Sequence, residues 1–564
     1  MKVSLENNIQ QHNLTEINSQ KGNKHKKQNN FSFKGAGFTA VLDYLATNPV
    51  WGATATDVGF MGTPTTTMEI IRRGWGYGFE AGFREYTSTL NDASVGLYGL
   101  GAGALIAGAL KKDGVKNPQR IFASNESVDV HASLWKANNG NVDTYIEDYV
   151  NSIKGFNPNS ERADAKGYVS IEDGELKNSI KDDMKQLTEK NLDKKERLKI
   201  IKRLNAKLVE ATGAESELVI NHGDKSVSSS VKTVTDDFFR MTKAMKEHGN
   251  ISKIDTLVSK LKTFGKGRAL LGLGAAMAIS ACFQPINVWM TKKRTGSDGF
   301  GGDETRQKDN SLGFKLMKLG SMAAMGSIML LSLKAKPSQF VDKMMYKGTA
   351  PTIDQFKGLY GTTIISRMWM SRDKDEHREV DIKSILGFLN WLVFGNFVEK
   401  GVALAFQDKK NPIIRYNKEK SKDGFLYRHF GEKVDRFFNS DITSRREMVT
   451  EALAKAGESV VNPDGSAKKM KQLLKDAEKI ANPVLNKNLK LKMWAQLANY
   501  AYAGIVLGAG VPWFNISVTN YVTKKRLNKK EQENKMNMTN DFAINAQIKQ
   551  SSFANMKRDY IKTA

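Results

Sequence analysis

Met493–Thr523 reads MWAQLANYAYAGIVLGAGVPWFNISVTNYVT and contains no charged residue. It is longer than the roughly 20 apolar residues that cross the hydrocarbon core of a bilayer. Trp494, Tyr500 and Tyr502 lie towards one end and Trp513 and Tyr521 towards the other. Aromatics so placed match the two interfaces of a membrane. Lys490 and Lys492 precede the run, and Lys524, Lys525 and Arg526 follow it.

Working outward, the next strongest run is Ala269–Met290, ALLGLGAAMAISACFQPINVWM, bounded by Arg268 and by Lys292, Lys293 and Arg294. Its Leu, Ile, Val and Phe residues each favour insertion by roughly 0.3 to 0.6 kcal/mol. Gln284, Pro285 and Asn287 oppose it near one end. A third run, Ala93–Leu110, is glycine-rich. As one helix it would be about 27 Å long, near the hydrocarbon thickness. Gly99 and Gly103 in this run, and Gly504 and Gly508 in the last, have the small-residue spacing that lets helices approach closely in lipid. Two shorter runs, Leu319–Leu333 and Ser384–Val398, fall below a full crossing unless Lys315 and Lys318 snorkel and Glu399 and Lys400 pair.

The pattern predicts an all-α fold: a multi-span helical membrane protein with helical soluble segments. Its expected divisions are a polar tail over 1–30, a Gly- and aromatic-rich amphipathic region over 31–92, and an apolar helix over 93–110. A helical soluble domain over 111–268 comes next. A membrane region over 269–406 then has apolar helices near 269–290, 312–333 and 384–406. A basic helical soluble segment over 407–492, the apolar helix 493–523 and a basic tail over 524–564 complete the chain. Residues 1–30 lack the apolar core of a cleavable secretory signal, so an inner or intracellular membrane is expected.

Within 111–268, Ile180, Met184, Leu187, Leu198, Ile201, Leu204 and Leu208 recur at helical spacing and predict a helical hairpin. Ser444 and Glu447 form a capping-box pattern for a helix ending near Gly457, and a second helix is expected over Ser466–Ala481, stopped by Asn482 and Pro483. No series of strands with regular turns argues for a large sheet.

Sixty acidic residues face eighty-six basic ones, a net charge of +26 that favours phosphate-bearing partners, either anionic lipid or nucleic acid. The single cysteine, Cys282, forms no intrachain disulfide. Gly35, Gly37 and Ala40, like Gly76, Gly78 and Ala81, fit a loose dinucleotide pattern without a βαβ context. Gly265–Arg268 is no phosphate loop, the seven histidines are scattered, and the Asp298–Glu304 stretch does not match an EF-hand. No catalytic residue, metal ligand or cofactor is assigned.

One internal echo remains. Pro285 and Asn287 precede Thr291-Lys-Lys-Arg294, and Pro512 and Asn515 precede Thr523-Lys-Lys-Arg526. These prolines and asparagines suggest broken helices that bind a solute, and the basic triplets suggest contacts with an anionic surface. The expected function is therefore a non-enzymatic membrane protein with a structural or partner-binding role. The alternatives are a transporter or channel, and a basic nucleic-acid-binding structural protein.

Overall fold

The structure is a computed structural model. It describes residues 54–189, 192–248, 250–296, 308–348, 351–393, 397–416, 418–422 and 424–563, with Val41, Leu42, Leu45 and Gly52. The expected tail over 1–30, the Gly35 motif and Asp298–Glu304 lie outside the described residues.

A helix with widened turns, Thr56–Gly62, runs directly into α1 (Thr63–Arg73). Gly74, at φ +97°, turns the chain into α2 (Trp75–Ala93), which packs back on α1. An L side chain rarely adopts that φ, so glycine suits the reversal. Next comes α3 (Val95–Ile106). The single 27 Å helix expected over 93–110 does not form, because the helix is interrupted at Ala107 and a separate turn occupies Gly108–Lys112. Without Cβ atoms, glycines hold a long helix together poorly.

A separately packed unit follows, the region expected to be soluble, containing α4 (Asn125–Ala137), α5 (Val142–Ser152), α6 (Glu175–Leu187), α7 (Lys194–Thr212) and α8 (Val231–His248). The predicted hairpin is α6 against α7, with Ile180, Met184, Leu187, Leu204 and Leu208 buried and Leu198 exposed. Asp193 and Glu196 form a capping box at the start of α7. The unit is not wholly helical. It holds a four-stranded antiparallel sheet ordered β2-β1-β3-β4, from β1 (Ile153–Phe156), β2 (Tyr168–Ser170), β3 (Leu218–His222) and β4 (Lys225–Ser229). Lys154 pairs with Ser170 on one side and Val219 on the other. Strands of three to five residues contain too few alternations to stand out by periodicity.

The chain returns along α9 (Ile254–Thr295). Ile254, Leu257, Leu261 and Phe264 belong to the core of the soluble unit, whereas Leu270, Leu271, Ile279 and Trp289 are exposed. Arg268 is where one environment gives way to the other. The second half of the chain then contains α10 (Leu312–Ser332), α11 (Ile353–Met370), α12 (Lys374–Phe388), which continues in widened turns over Leu389–Val393, and α13 (Phe397–Phe406).

A smaller unit, the second segment expected to be soluble, is built on α14 (Arg445–Lys455), capped by Ser444 and Glu447, and α15 (Met470–Ile480), with a short ladder pairing Ile414 and Ile442. Finally α16 (Pro483–Tyr502), widened turns over Ala503–Gly510 and α17 (Val511–Thr563) complete the described chain.

Among the described residues, three helical stretches are long and apolar enough to cross a membrane: Ile251–Thr295, Leu312–Ser332 and Pro483–Gln550. Their most apolar windows are only 33%, 22% and 33% buried. A helix at the centre of a soluble core would hide that surface, so the exposure favours an apolar solvent. The ranking of the runs changes accordingly. The run at 319–333 gains length because its helix begins at Leu312, capped by Ser311, whereas α3 falls short.

Candidate solute cleft between two similar helical halves

Pro285 does not break α9. Proline supplies no N–H to the carbonyl four residues earlier, but the Ala281 carbonyl instead accepts a hydrogen bond from Ser366 Oγ of α11 at 2.9 Å. Pro512 is the second residue of α17, and the Gly508 carbonyl accepts from Thr65 Oγ1 of α1 at 3.1 Å. Each proline-containing helix is thus repaired by a hydroxyl from the other half of the chain. Neighbouring hydroxyls commonly satisfy such freed carbonyls in apolar surroundings.

The asparagines that follow act alike. Asn287 Nδ2 donates to the Glu80 carbonyl at 3.2 Å, and Asn515 Nδ2 donates to the Glu379 carbonyl at 3.1 Å. Aligning Glu80 with Glu379 also brings together Gly62 with Gly361, Thr63 with Thr362, Arg73 with Arg372, Arg84 with Lys383, and Leu90-Asn91 with Leu389-Asn390. The helix starts agree, since Trp75 falls on Lys374. Thr56–Arg73 corresponds to α11, α2 to α12, α3 to α13, and α9 to α16 continued by α17. Each half carries its soluble unit between corresponding helices. The two units touch: Arg415 Nη2 donates to the Gly213 carbonyl, and Glu447 accepts from the Glu215 amide. Contact between the two units is what repeats of parallel orientation expect.

The basic exits divide. Arg294 pairs with Glu80 at 2.9 Å and lies over the Tyr77 ring, against Gly76; Arg526 pairs with Asp375, which aligns with Gly76, also at 2.9 Å. Lys292, Lys293, Lys524 and Lys525 are exposed. Both glycine pairs lie at helix contacts. A Cβ on Gly99 would come within 2.6 Å of Tyr346 Cζ, and one on Gly272 within 3.2 Å of Gly99 Cα. Gly103 lies near Gln119 and Arg268, Gly504 near Phe60, and a Cβ on Gly508 would overlap the Phe60 carbonyl.

Between the halves is a cleft of about 60 Å³. Arg73, Arg84, Arg367, Arg372 and Lys383 line it together with Glu69, Glu80, Glu376 and Glu379, and Gln284, Asn287, Pro512 and Asn515 close it. Arg73 bridges Glu69 at 3.3 Å and Glu379 at 2.5 Å, crossing from one half to the other. Arg372 holds Glu376 within its own half at 2.9 Å. Glu85 is reached by Lys383 at 2.9 Å, Arg84 at 3.2 Å and Arg367 at 3.7 Å. Gln284 Oε1 and Asn515 Oδ1 are buried without a hydrogen-bond donor among the described residues. A smaller cavity shares Arg367, Lys383 and Ser384 and is also lined by Asp57 and Tyr360.

Of the four predicted helix-break residues, Asn287, Pro512 and Asn515 line the cleft and Pro285 does not; the predicted glycines and basic exit residues lie elsewhere. Sequence reasoning missed the charged lining. Its signal was the weak register between residues 62–91 and 361–390, in which most of the matching residues are polar. Among the described residues no group of His, Cys, Asp and Glu is arranged to hold a metal ion. No family model, curated protein or solved structure matches this chain.

Proposed function

We propose that the chain is a membrane transporter of parallel-repeat design, whose solute site is the charged cleft between its halves. The observation that carries this reading is the position of five cations and four carboxylates where two similar sets of helices meet, beside helices apolar enough to cross a bilayer. Ionisable groups so placed are costly and belong to pathways or binding sites in membrane proteins. Discontinuous or widened helices at a repeat interface are the matching architecture.

Both signs of charge favour a zwitterionic solute. Its carboxylate would replace a glutamate on Arg73 or Arg372, and its ammonium would replace an arginine on Glu379 or Glu376. No charge is then left buried and alone at either stage, which is the condition a low-dielectric site imposes. The test is uptake of radiolabelled amino acids into proteoliposomes containing the full chain. Uptake that vanishes in both R73Q and E379Q supports the reading. No uptake of any amino acid, with no rise in melting temperature at millimolar concentrations, would sink it.

A second reading is a structural membrane protein whose soluble units bind partners. It is favoured by the closed ion-pair network, since Glu379, Glu376 and Glu85 each already have a cation. It expects R73Q to lower stability without any transport phenotype to lose.

A further inference from the structure

A second cleft, of about 50 Å³, lies in the first soluble unit and is lined by cations without any carboxylate: Lys116, Arg120, Arg197, Arg240 and Lys243, with Phe239 as its apolar wall. The loop from Gly114 to Ile121 and helices α7 and α8 bring these residues together. Asn117 takes a left-handed conformation, φ 52°, and starts the short turn Pro118–Arg120. The Lys116 amide donates to Glu247 Oε2 at 2.9 Å, which fixes the loop against α8.

The charges are not balanced locally. Arg240 is held by Asp236 at 2.8 Å, and Lys243 is 3.9 Å from Glu247. Arg120 and Arg197 have no carboxylate within ion-pair distance among the described residues, and the Arg197 guanidinium instead lies 5.1 Å from the centre of the Phe239 ring. An arginine stacked on an aromatic ring keeps its planar fork of donors pointing outward, the geometry that suits a phosphate.

The position of the cleft narrows the source of that phosphate. Gln119 Cα lies 3.3 Å from where a Cβ on Gly103 would be, so the loop rests on the apolar helix α3. The Ile121 carbonyl accepts a hydrogen bond from Arg268, the last residue before the apolar run of α9. The cleft therefore opens at the boundary between the soluble unit and the exposed apolar helices, the level of lipid headgroups in a bilayer. Basic pockets at that level bind phospholipid headgroups.

We propose that this cleft binds the phosphate of an anionic lipid headgroup, with Arg120 and Arg197 as its principal contacts. This site is independent of the solute cleft. The test is native mass spectrometry of the full chain extracted from vesicles of phosphatidylcholine with phosphatidylglycerol, combined with thermal melts in detergent with inorganic pyrophosphate. The expected result is phosphatidylglycerol retained by the parent chain and reduced at least tenfold in Arg120→Gln/Arg197→Gln. The conservative Arg120→Lys/Arg197→Lys chain retains it, which separates loss of charge from loss of fold. Stabilisation by pyrophosphate without lipid retention would overturn the headgroup assignment in favour of a soluble phosphate. Equal lipid retention by the parent and the glutamine variant, or none by either, would overturn the site.

Discussion

Glu80 and Glu379 occupy the same place in the two halves, yet they are neutralised differently. Glu80 is held by Arg294 of its own half, whereas Glu379 is held by Arg73 of the other. Arg372, the counterpart of Arg73, stays with Glu376 in its own half. The repeated framework therefore fixes where charge is placed, and the residues that differ, such as Gly76 against Asp375 and Tyr77 against Glu376, decide which half satisfies it. The cleft has a two-sided frame, and its ion pairs cross it from both sides by different residues: Arg73 reaches Glu379, while Lys383 and Arg367 reach Glu85.

The largest effect should come from breaking Arg73–Glu379, a pair that crosses between the halves. R73M leaves the buried Glu379 and the half-buried Glu69 without their shared cation, a change that costs about 3–5 kcal/mol for a buried pair. R372M removes the cation that holds Glu376 within its own half, and Glu376 keeps the hydrogen bond from Gln284 at 3.4 Å. Thermal unfolding in detergent should place R73M below R372M, and adding E379Q to R73M should recover part of the difference. If the two single variants melt together, the asymmetry has no energetic meaning.

Next comes the contact between the soluble units. Arg415 and Glu447 are 3% and 1% exposed and lie 2.8 Å apart. Burial alone would raise the Glu447 carboxyl, but Arg415 and the Glu215 and Ser444 amides hold it below its ordinary value. A carboxyl depressed by folding contributes stability that is fully present above its unfolded value, 4.5, and is lost as pH falls through the lower folded value. The difference in stability between the parent chain and E447Q should therefore be constant from pH 7 to pH 5 and shrink below 4.5. E447A, which strands Arg415, should cost about 3 kcal/mol at neutral pH. A difference that grows on acidification would contradict the sign.

A smaller effect separates the glycines. G508L drives a side chain into the Phe60 carbonyl and should destabilise by about 1–3 kcal/mol through overpacking. G101L meets open space and should be nearly silent. Equal melting temperatures would mean that the helices separate freely at Gly508.

Much of the helical layer was legible because charge-free length is a local property. Met493–Thr523 and Ala269–Met290 announce themselves without any knowledge of partners, and Ser444 with Glu447 announces its helix. The cleft was half legible. Asn287 and Asn515 stood out as polar residues within apolar runs, but Arg73, Glu80, Arg372 and Glu379 lie in helices of mixed composition, where a charge ordinarily points to water. Their burial follows from the packing of distant segments, and the register linking Glu80 to Glu379 has too few identities to be noticed unless both are already known to share a site. The sheet was missed for a simpler reason, because β2 spans only three residues.

The two repaired prolines offer the finest comparison of the halves. Ser366→Ala removes the donor to the Ala281 carbonyl, and Thr65→Val removes the donor to the Gly508 carbonyl while keeping the side-chain shape. Each carbonyl then lacks the bond that compensates for the missing proline N–H, a loss of about 1 kcal/mol per site. If the halves use one device twice, the two variants should shift the melting temperature alike and their effects should add, because they share no partner. Replacing the prolines sharpens the point. In Pro285→Ala the restored N–H can serve Ala281 itself, so Ser366→Ala should lose most of its effect in that background. A Ser366→Ala effect unchanged by Pro285→Ala would mean that the hydroxyl acts through helix packing and not by satisfying the freed carbonyl.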